Sequence, residues 1–270
     1  MNVLIIGSGG REHAIAMKLS KSPIVGGLFV LPGNAGTREI ATNVELSQDN
    51  FGEIEKFAKE NFIELIVVGP EQPLVDGIVD YFVNKDIKVV GPDSNAAQLE
   101  GSKSFAKAFM EKYGIPTAKY RSFSSSEHIE AIEYLNELRP PYVLKADGLA
   151  AGKGVLILED RTEAESELKK ILTEGKFGAA GSSVVIEQFL QGIEMSVFVL
   201  TDGKDYLVLP EAKDYKRIGE GDSGPNRTIP ILSVLLTIIV AVKLWHYYHQ
   251  RHQNRRRDRS SFSEIQNKII

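Results

Sequence analysis

The sequence predicts an α/β protein in which a parallel sheet covered by helices is followed by a smaller α+β segment. Three observations carry this. Four short apolar runs in the first ninety or so residues each stop at a Gly-, Pro- or Asn-bearing turn, with helical stretches between them, the signature of a parallel sheet. From Ser102 the order changes to a helix and then two strand–loop–strand passages. Near Asn226 the composition changes again, and a third kind of sequence follows.

Taken in order, residues 2–6 (NVLII) form the first strand and end at a glycine cluster. A helix follows, with apolar spacing at Ala14, Met17 and Leu19. A second strand over residues 27–31 ends in PGNAGT, a charged helix spans 51–61, and a strand over 65–68 stops at GPEQP. A helix over 74–84 leads to a strand over 88–90, stopped by GPD. These turns all lie at strand exits, the edge where an open parallel sheet binds ligands. A helix over 103–113 then breaks at Gly114-Ile115-Pro116, where glycine caps and proline forbids continuation. The passages 142–158 and 184–200 follow, with a helix over 163–174 between them. The domain boundary is expected near Gly101, giving an N-terminal domain of residues 1–101, a second of 102–226 and a tail of 227–270.

The 270 residues suffice for two domains with buried cores. Hydrophobic residues make up 43% and charged residues 25%, the balance of an ordinary globular chain. The absence of cysteine rules out disulfides and thiolate chemistry and fits a reducing cytoplasm. MNVLIIGSGG has no basic region ahead of its apolar stretch and does not read as a signal peptide. The formal net charge of −4 is unevenly spread. From Arg227 onward there are 8 Lys+Arg against 2 Asp+Glu, a net of +6, so the remainder, 24 against 34, carries −10.

Two glycine-rich elements carry the chemistry. Gly7-Ser8-Gly9-Gly10-Arg11-Glu12-His13 joins the first strand to the first helix, where backbone N–H groups and the helix N-terminus favour an anion. It is not a dinucleotide fingerprint, because Glu12 stands where a third glycine is needed and the second strand ends in Leu31-Pro32-Gly33-Asn34, without a ribose-binding acid. An arginine in the loop suits a small phosphorylated substrate; the alternative is a tight turn with no ligand. The second element is Lys145-Ala146-Asp147-Gly148-Leu149-Ala150-Ala151-Gly152-Lys153-Gly154. It lacks the Ser/Thr of a P-loop and is one residue short, and it reads as a hairpin of strands 142–145 and 155–158. Lys145 inside an apolar strand needs a partner. A nucleotide phosphate is one reading, with Lys153 reaching the terminal phosphate from the loop, and a snorkelling surface lysine is the other. A third run, Val184 to Leu190, leads through a turn at Gly192 to Glu194. Its strand exit offers backbone groups to an adenine edge and a carboxylate to ribose, though glutamates there are commonly just solvated.

Seven runs, GSGGREHA, LPGNAGT, VVGPEQPLVDG, GPDSNAAQLEGSK, VLKADGLAAGKGV, VIEQFLQGIEMS and KRIGEGDSGPN, together closely resemble the phosphoribosylamine–glycine ligases of the ATP-grasp superfamily, in family order across residues 1–226. The resemblance implies a Rossmann-like N-terminal domain binding 5-phosphoribosylamine, followed by part of an ATP-grasp domain. It implies ATP-dependent joining of glycine to that amine through a glycyl phosphate, in purine synthesis. By analogy Lys103 and Lys145 hold ATP phosphates, and Gly152, Lys153 and Gly154 form a flap over them. Glu187, Gln188, Phe189 and Leu190 read adenine, and Glu194 the ribose. Gly9, Arg11, Glu12, Asn34 and Gly36 belong to the phosphoribosylamine side, while Asp214, Lys216 and Arg217 lead into the substrate loop. Lys145, Lys153 and Arg217 are the implied catalytic residues.

The chain departs from the family at residue 227. The family's glycine-site loop and the later strands that hold Mg2+ do not follow, and Glu264-Ile265-Gln266-Asn267 has the wrong spacing to replace them, so no metal ligand is assigned. On the resemblance, the chain as written is incomplete and inactive. The tail reads in two ways. Its abrupt start inside a motif favours unselected sequence downstream of a lost coding frame, since domain boundaries fall in linkers. The second reading is a marginal anchor through residues 229–245, whose apolar run over 229–242 is shorter than the ~20 residues of a membrane span. That reading makes the chain a non-catalytic, tethered ribose-phosphate-binding module. The basic cluster at 255–257 reads as a solvated charge run, and no nucleic-acid partner is expected.

Overall fold

Five parallel strands form the first sheet of the computed structural model, which describes residues 1–150, 153–192, 195–201, 204–213, 217–219 and 223–226. They are β1 (Asn2–Gly7), β2 (Gly27–Pro32), β3 (Thr42–Asn43), β4 (Ile63–Val68) and β5 (Lys88–Val90), in the order β3-β2-β1-β4-β5. The chain winds outward from β1 on one side and then restarts on the other. The connection therefore reverses between β1 and β4, where ligands enter such sheets. Val3, Leu4, Ile5 and Ile6 have no exposed surface, as a central parallel strand covered on both faces requires. Alternate residues supply the two faces. Leu4 and Ile6 pack with Ile54, Ala58, Ile78 and Phe82 in one core, and Ile5 packs with Val30 and Ala16 in the other.

The helices covering these faces are α1 (Gly10–Leu19), α2 (Phe51–Glu60), α3 (Glu71–Val75), α4 (Ile78–Phe82) and α5 (Ser94–Gly101). The Asn50 side chain caps α2 by accepting from the Glu53 amide at 3.2 Å, and Ile54 and Ala58, one turn apart, are its buried residues. The helix expected over 74–84 is instead two short ones. Gly77, at φ +90°, takes the left-handed conformation that ends one turn and starts the next. The helix α5 was not legible from periodicity because Ala97 is its one buried residue. Its start is nevertheless marked by Asp93, which accepts from the Ala96 amide at 2.8 Å.

The second sheet is antiparallel. After α6 (Lys103–Lys112) come β6 (Tyr120–Ser124), α7 (His128–Tyr134), β7 (Tyr142–Ala146), β8 (Val155–Leu158), α8 (Arg161–Leu172) and β9 (Ser183–Gln188), with strand order β6-β9-β7-β8. The expected hairpin is the β7–β8 pair, with Tyr142 opposite Leu158 and Lys145 opposite Val155. One face, with Tyr142, Leu144, Val184 and Ile186, packs on Ala131 of α7 and Ala164, Leu168 and Ile171 of α8. The helix α8 begins two residues earlier than expected because Asp160 caps it, accepting from the Glu163 amide at 2.8 Å. The opposite face carries Val143, Lys145, Val185 and Glu187, by the two-residue period of a strand, and α6 packs against β9. Beyond β9, β10 (Met195–Ser196) pairs with β13 (Ala212–Lys213), β11 (Val199–Thr201) with β12 (Tyr206–Val208), and β14 (Arg217–Gly219) with β15 (Ser223–Asn226), all antiparallel. No described helix is long and apolar enough to cross a membrane.

Candidate functional site

Three strand exits meet at the reversal between β1 and β4. Asn34, after β2, donates through Nδ2 to the carbonyls of Ser8 (2.9 Å) and Gly9 (3.3 Å). It is itself held by Thr37, whose amide donates to Asn34 Oδ1 at 3.0 Å. Arg11, in the first turn of α1, donates to the Gly69 carbonyl and pairs with Glu71 at 3.0 Å, both after β4. The loops after β1, β2 and β4 are thus one hydrogen-bonded unit at the C-terminal edge of the sheet.

Glu12 is placed differently from a residue facing a ligand. It is 5% exposed and turns back beneath the glycine loop, where Oε2 accepts from the Gly9 amide at 2.6 Å. A Cβ at Gly69 would fall within the Glu12 carboxylate; glycine there lets the β4 exit close over it. Gly36 lies against the His13 ring in the same way. Of the residues assigned to the phosphoribosylamine side, Gly9, Arg11, Asn34 and Gly36 line or brace this edge, and Glu12 supports it from within.

The second group lies where α6 meets the antiparallel sheet. Ser102 Oγ caps α6 by accepting from the Phe105 amide at 3.1 Å. Asp147, just past β7, accepts from the Ser104 amide at 2.6 Å through Oδ1, and its carbonyl accepts from the Lys103 amide at 3.2 Å. Lys103 folds back so that Nζ donates to the carbonyls of Asp147 (3.3 Å) and Gly148 (3.1 Å). Burial holds its pKa below the usual lysine value. Asp147 and Glu100 oppose that shift, and the nearby Lys145 ammonium adds to it. A lysine in the first turn of a helix also faces the positive end of the helix dipole.

Lys145 has the partner its strand position demands, and the partner is a protein carboxylate. Its Nζ lies 2.9 Å from Glu187 Oε2. The register puts Lys145 opposite Val185, so Glu187 is its diagonal neighbour on the same face. The Glu187 side chain is 7% exposed and also pairs with Lys107 of α6, at 3.2 Å and through the same Oε2. Its Oε1 is buried with no hydrogen-bond partner. Glu187, which opens the expected adenine-reading strand exit, is in addition the hub of a two-lysine ion cluster. Gln188, Phe189 and Leu190 beside it are exposed, and the Gln188 amide donates to the Lys119 carbonyl at 2.8 Å. Lys153 is exposed in the β7–β8 loop, and the Gly154 carbonyl accepts from the Ala146 amide at 2.8 Å.

Glu100, at the end of α5, links the two groups. Burial and the neighbouring Glu71 raise its carboxyl pKa, while Lys103 and Arg11 pull it down. Glu100, Lys107 and Asp147 join the site only through the fold. The available signals were slight: Lys107 lies one helical turn after Lys103, and Asp147 follows the strand that carries Lys145. Gly152, Glu194, Asp214 and Lys216 lie outside the described residues, as does the side chain of Arg217, whose backbone pairs with Asn226. The tail, including residues 229–245, also lies outside them.

Comparison with known proteins bears on both groups. Residues 1–100 match the model of the phosphoribosylglycinamide synthetase N domain, and residues 101–228 that of the ATP-grasp (A) domain of the same synthetase. Phosphoribosylamine–glycine ligases of Pseudomonas aeruginosa and Pasteurella multocida are each 50% identical to the chain over 228 residues, 84% of it. The chain spans about half the length of these relatives, 52% and 53% respectively. The crystal structure of the Thermotoga maritima phosphoribosylamine–glycine ligase superposes with a TM-score of 0.68 at 37% identity, covering 84% of this chain and 53% of that one. An ADP complex of N5-carboxyaminoimidazole ribonucleotide synthetase, 23% identical with a TM-score of 0.60 over 82% of this chain and 55% of that one, shares the fold.

Proposed function

Because the chain belongs over residues 1–228 to the phosphoribosylglycinamide synthetase family, we propose that these residues form the amine-substrate domain and the first part of the ATP clamp of a carbon–nitrogen ligase. The reaction joins glycine to 5-phosphoribosylamine. A glycine carboxylate oxygen attacks the terminal phosphorus of ATP, an O–P bond forms, and ADP leaves. The amine nitrogen then attacks the carbonyl carbon of the glycyl phosphate, a C–N bond forms, phosphate leaves, and the nitrogen loses a proton. Chemistry of this kind needs positioning and charge stabilisation more than a strong base.

The observation that carries the reading is the pair Lys103 and Lys145. They come from different elements: Lys103 opens α6, and the Lys145 ammonium of β7 is near enough to add to the lowering of the Lys103 pKa. Two ammonium groups at a helix N-terminus are a place for a polyanion. Lys103 and Lys145 hold the phosphates of ATP, with Lys153 reaching the terminal one and Gly152 to Gly154 covering them. The strand exit from Glu187 to Leu190 takes the adenine, and Glu194 the ribose. The loop with Gly9, Arg11, Asn34 and Gly36 takes the sugar phosphate, and Glu12 keeps that loop in shape. Asp214, Lys216 and Arg217 act in the substrate loop. Among the described residues no group of three or more His, Cys, Asp or Glu is placed to hold a metal ion.

For the 270-residue chain itself, the proposal is binding without turnover. Calorimetric titration of the full chain is expected to give separate binding of ATP and of ribose 5-phosphate. Lys145→Met should weaken ATP by roughly tenfold or more and leave ribose 5-phosphate unchanged, and Arg11→Met should do the reverse. Equal loss of both ligands in either variant would count against two distinct sites. Release of ADP in the presence of glycine and 5-phosphoribosylamine would refute binding without turnover.

A further inference from the structure

The cluster around Glu187 contains one more cation than its carboxylate requires. Lys107 and Lys145 both reach Oε2, at 3.2 and 2.9 Å, yet their surroundings differ. Lys107 is enclosed. Its side chain is 9% exposed, Nζ donates to Thr117 Oγ1 at 2.7 Å, and the ammonium lies 5.3 Å from the centre of the Tyr120 ring. The Lys145 side chain is 28% exposed, and among the described residues Glu187 Oε2 is its one side-chain hydrogen-bond acceptor. One lysine is built into the packing and the other stands at its edge.

We propose that Lys107 is a positioning residue for nucleotide binding: it keeps the buried Glu187 carboxylate neutralised from the helix side, so that Lys145 can leave that carboxylate for a phosphate. This rests on the reading of Lys145 as a phosphate ligand. A lysine that was the sole partner of a buried carboxylate could not be recruited without stranding that charge, which is strongly unfavourable. With Lys107 fixed on the same oxygen, the carboxylate keeps a partner throughout, and Lys145 becomes a cation held in reserve. The separation of roles follows from the elements. Lys107 projects from α6 into the interior and is anchored by Thr117, whereas Lys145 sits near the end of β7, where the hairpin loop begins. No bond is made or broken; one ion contact is exchanged for another.

The test is a cycle of ATP dissociation constants measured by calorimetry on the full chain. The variants are wild type, Lys107→Met, Glu187→Gln and the double variant, with circular dichroism and melting to verify folding. Lys107→Met is expected to weaken ATP roughly tenfold or more where Glu187 is present, because Lys145 must then stay on the carboxylate. In the Glu187→Gln background the same change should cost less than about threefold, since no buried charge remains to be neutralised. A purely structural lysine would cost the same in both backgrounds, and that equality, or no loss in Lys107→Met, would overturn the proposal. Should Lys107→Met fail to fold, Lys107→Arg keeps the charge and carries the test. It should bind ATP within about threefold of wild type, and a tenfold loss in a folded Lys107→Arg chain would overturn the proposal. Failure of the wild-type chain to bind ATP would instead remove the nucleotide reading itself, and this inference with it.

Discussion

Lys103 shows how much of a residue's character is fixed by its surroundings. Burial depresses its pKa, and the Lys145 ammonium depresses it further against the pull of Asp147 and Glu100. A phosphate needs the charged form, which exists below the folded-state pKa. ATP affinity is therefore expected to fall as pH rises through a value below 10.5, the ordinary lysine value. The dissociation constant measured from pH 7 to alkaline pH should rise earlier than free lysine titration predicts. A flat profile up to the ordinary lysine range would show that Lys103 does not meet the phosphates. Glu100 carries the opposite perturbation. Its raised carboxyl pKa means that the folded state disfavours its charge, so its contribution is favourable below the unfolded pKa and is lost as pH rises through the folded one. Glu100→Gln should accordingly raise the melting temperature at neutral pH and have little effect in acid. Apart from each other, the charged groups that perturb these two residues come from other segments.

At the scale of elements, caps proved more informative than periodicity. Asn50, Asp93, Ser102 and Asp160 each accept from a first-turn amide, and these residue types immediately before a helix are readable as such. Asp160 moves the start of α8 ahead of its apolar spacing, which begins only at Ala164. Asp160→Ala should destabilise the second sheet and its helices by about 1 kcal/mol. Urea titration would measure this, and no change would mean that water satisfies the freed amide equally well. The helix expected over 74–84 failed at one residue, because apolar spacing runs through Gly77 while its backbone turns left-handed. The strand β6 has no legible alternation in the sequence because only Phe123 of its five residues is buried. Its ladder to β9 is decided by a partner some sixty residues away.

Over the whole molecule there are two sets of cores. Leu4, Ile54, Ile66 and Phe82 belong to one, and Phe123, Leu144, Leu168 and Ile186 to the other, with no residue shared. Between the two runs the α5–α6 junction, where Arg11, Glu71, Glu100 and Lys103 share one field, while Asp147 ties the start of α6 to the second sheet. Cores with so little apolar continuity should unfold separately. Chemical denaturation is expected to resolve two transitions. Ile54→Ala should move only one and Leu168→Ala only the other, each by about 2–5 kcal/mol. A single transition shifted by both variants would show that the polar junction is enough to make unfolding cooperative.

The sequence by itself determined the parallel sheet and its turns, because strand–turn–helix order is a local pattern written in apolar runs and in glycine, proline and asparagine. It also determined the β7–β8 hairpin and, through seven motifs in order, the family. It marked Lys145 as a strand charge needing a partner and Arg11 as suited to a phosphate. Only the tertiary structure decided which partners. Glu12 turned out to be a brace under Gly69, Lys145 and Lys107 share one oxygen of Glu187, and Asp147 holds the start of α6. These pairings join residues 40 to 80 positions apart, or hang on which strand face a side chain takes, and pairwise electrostatics in a dry interior depends on distance, which no local pattern encodes.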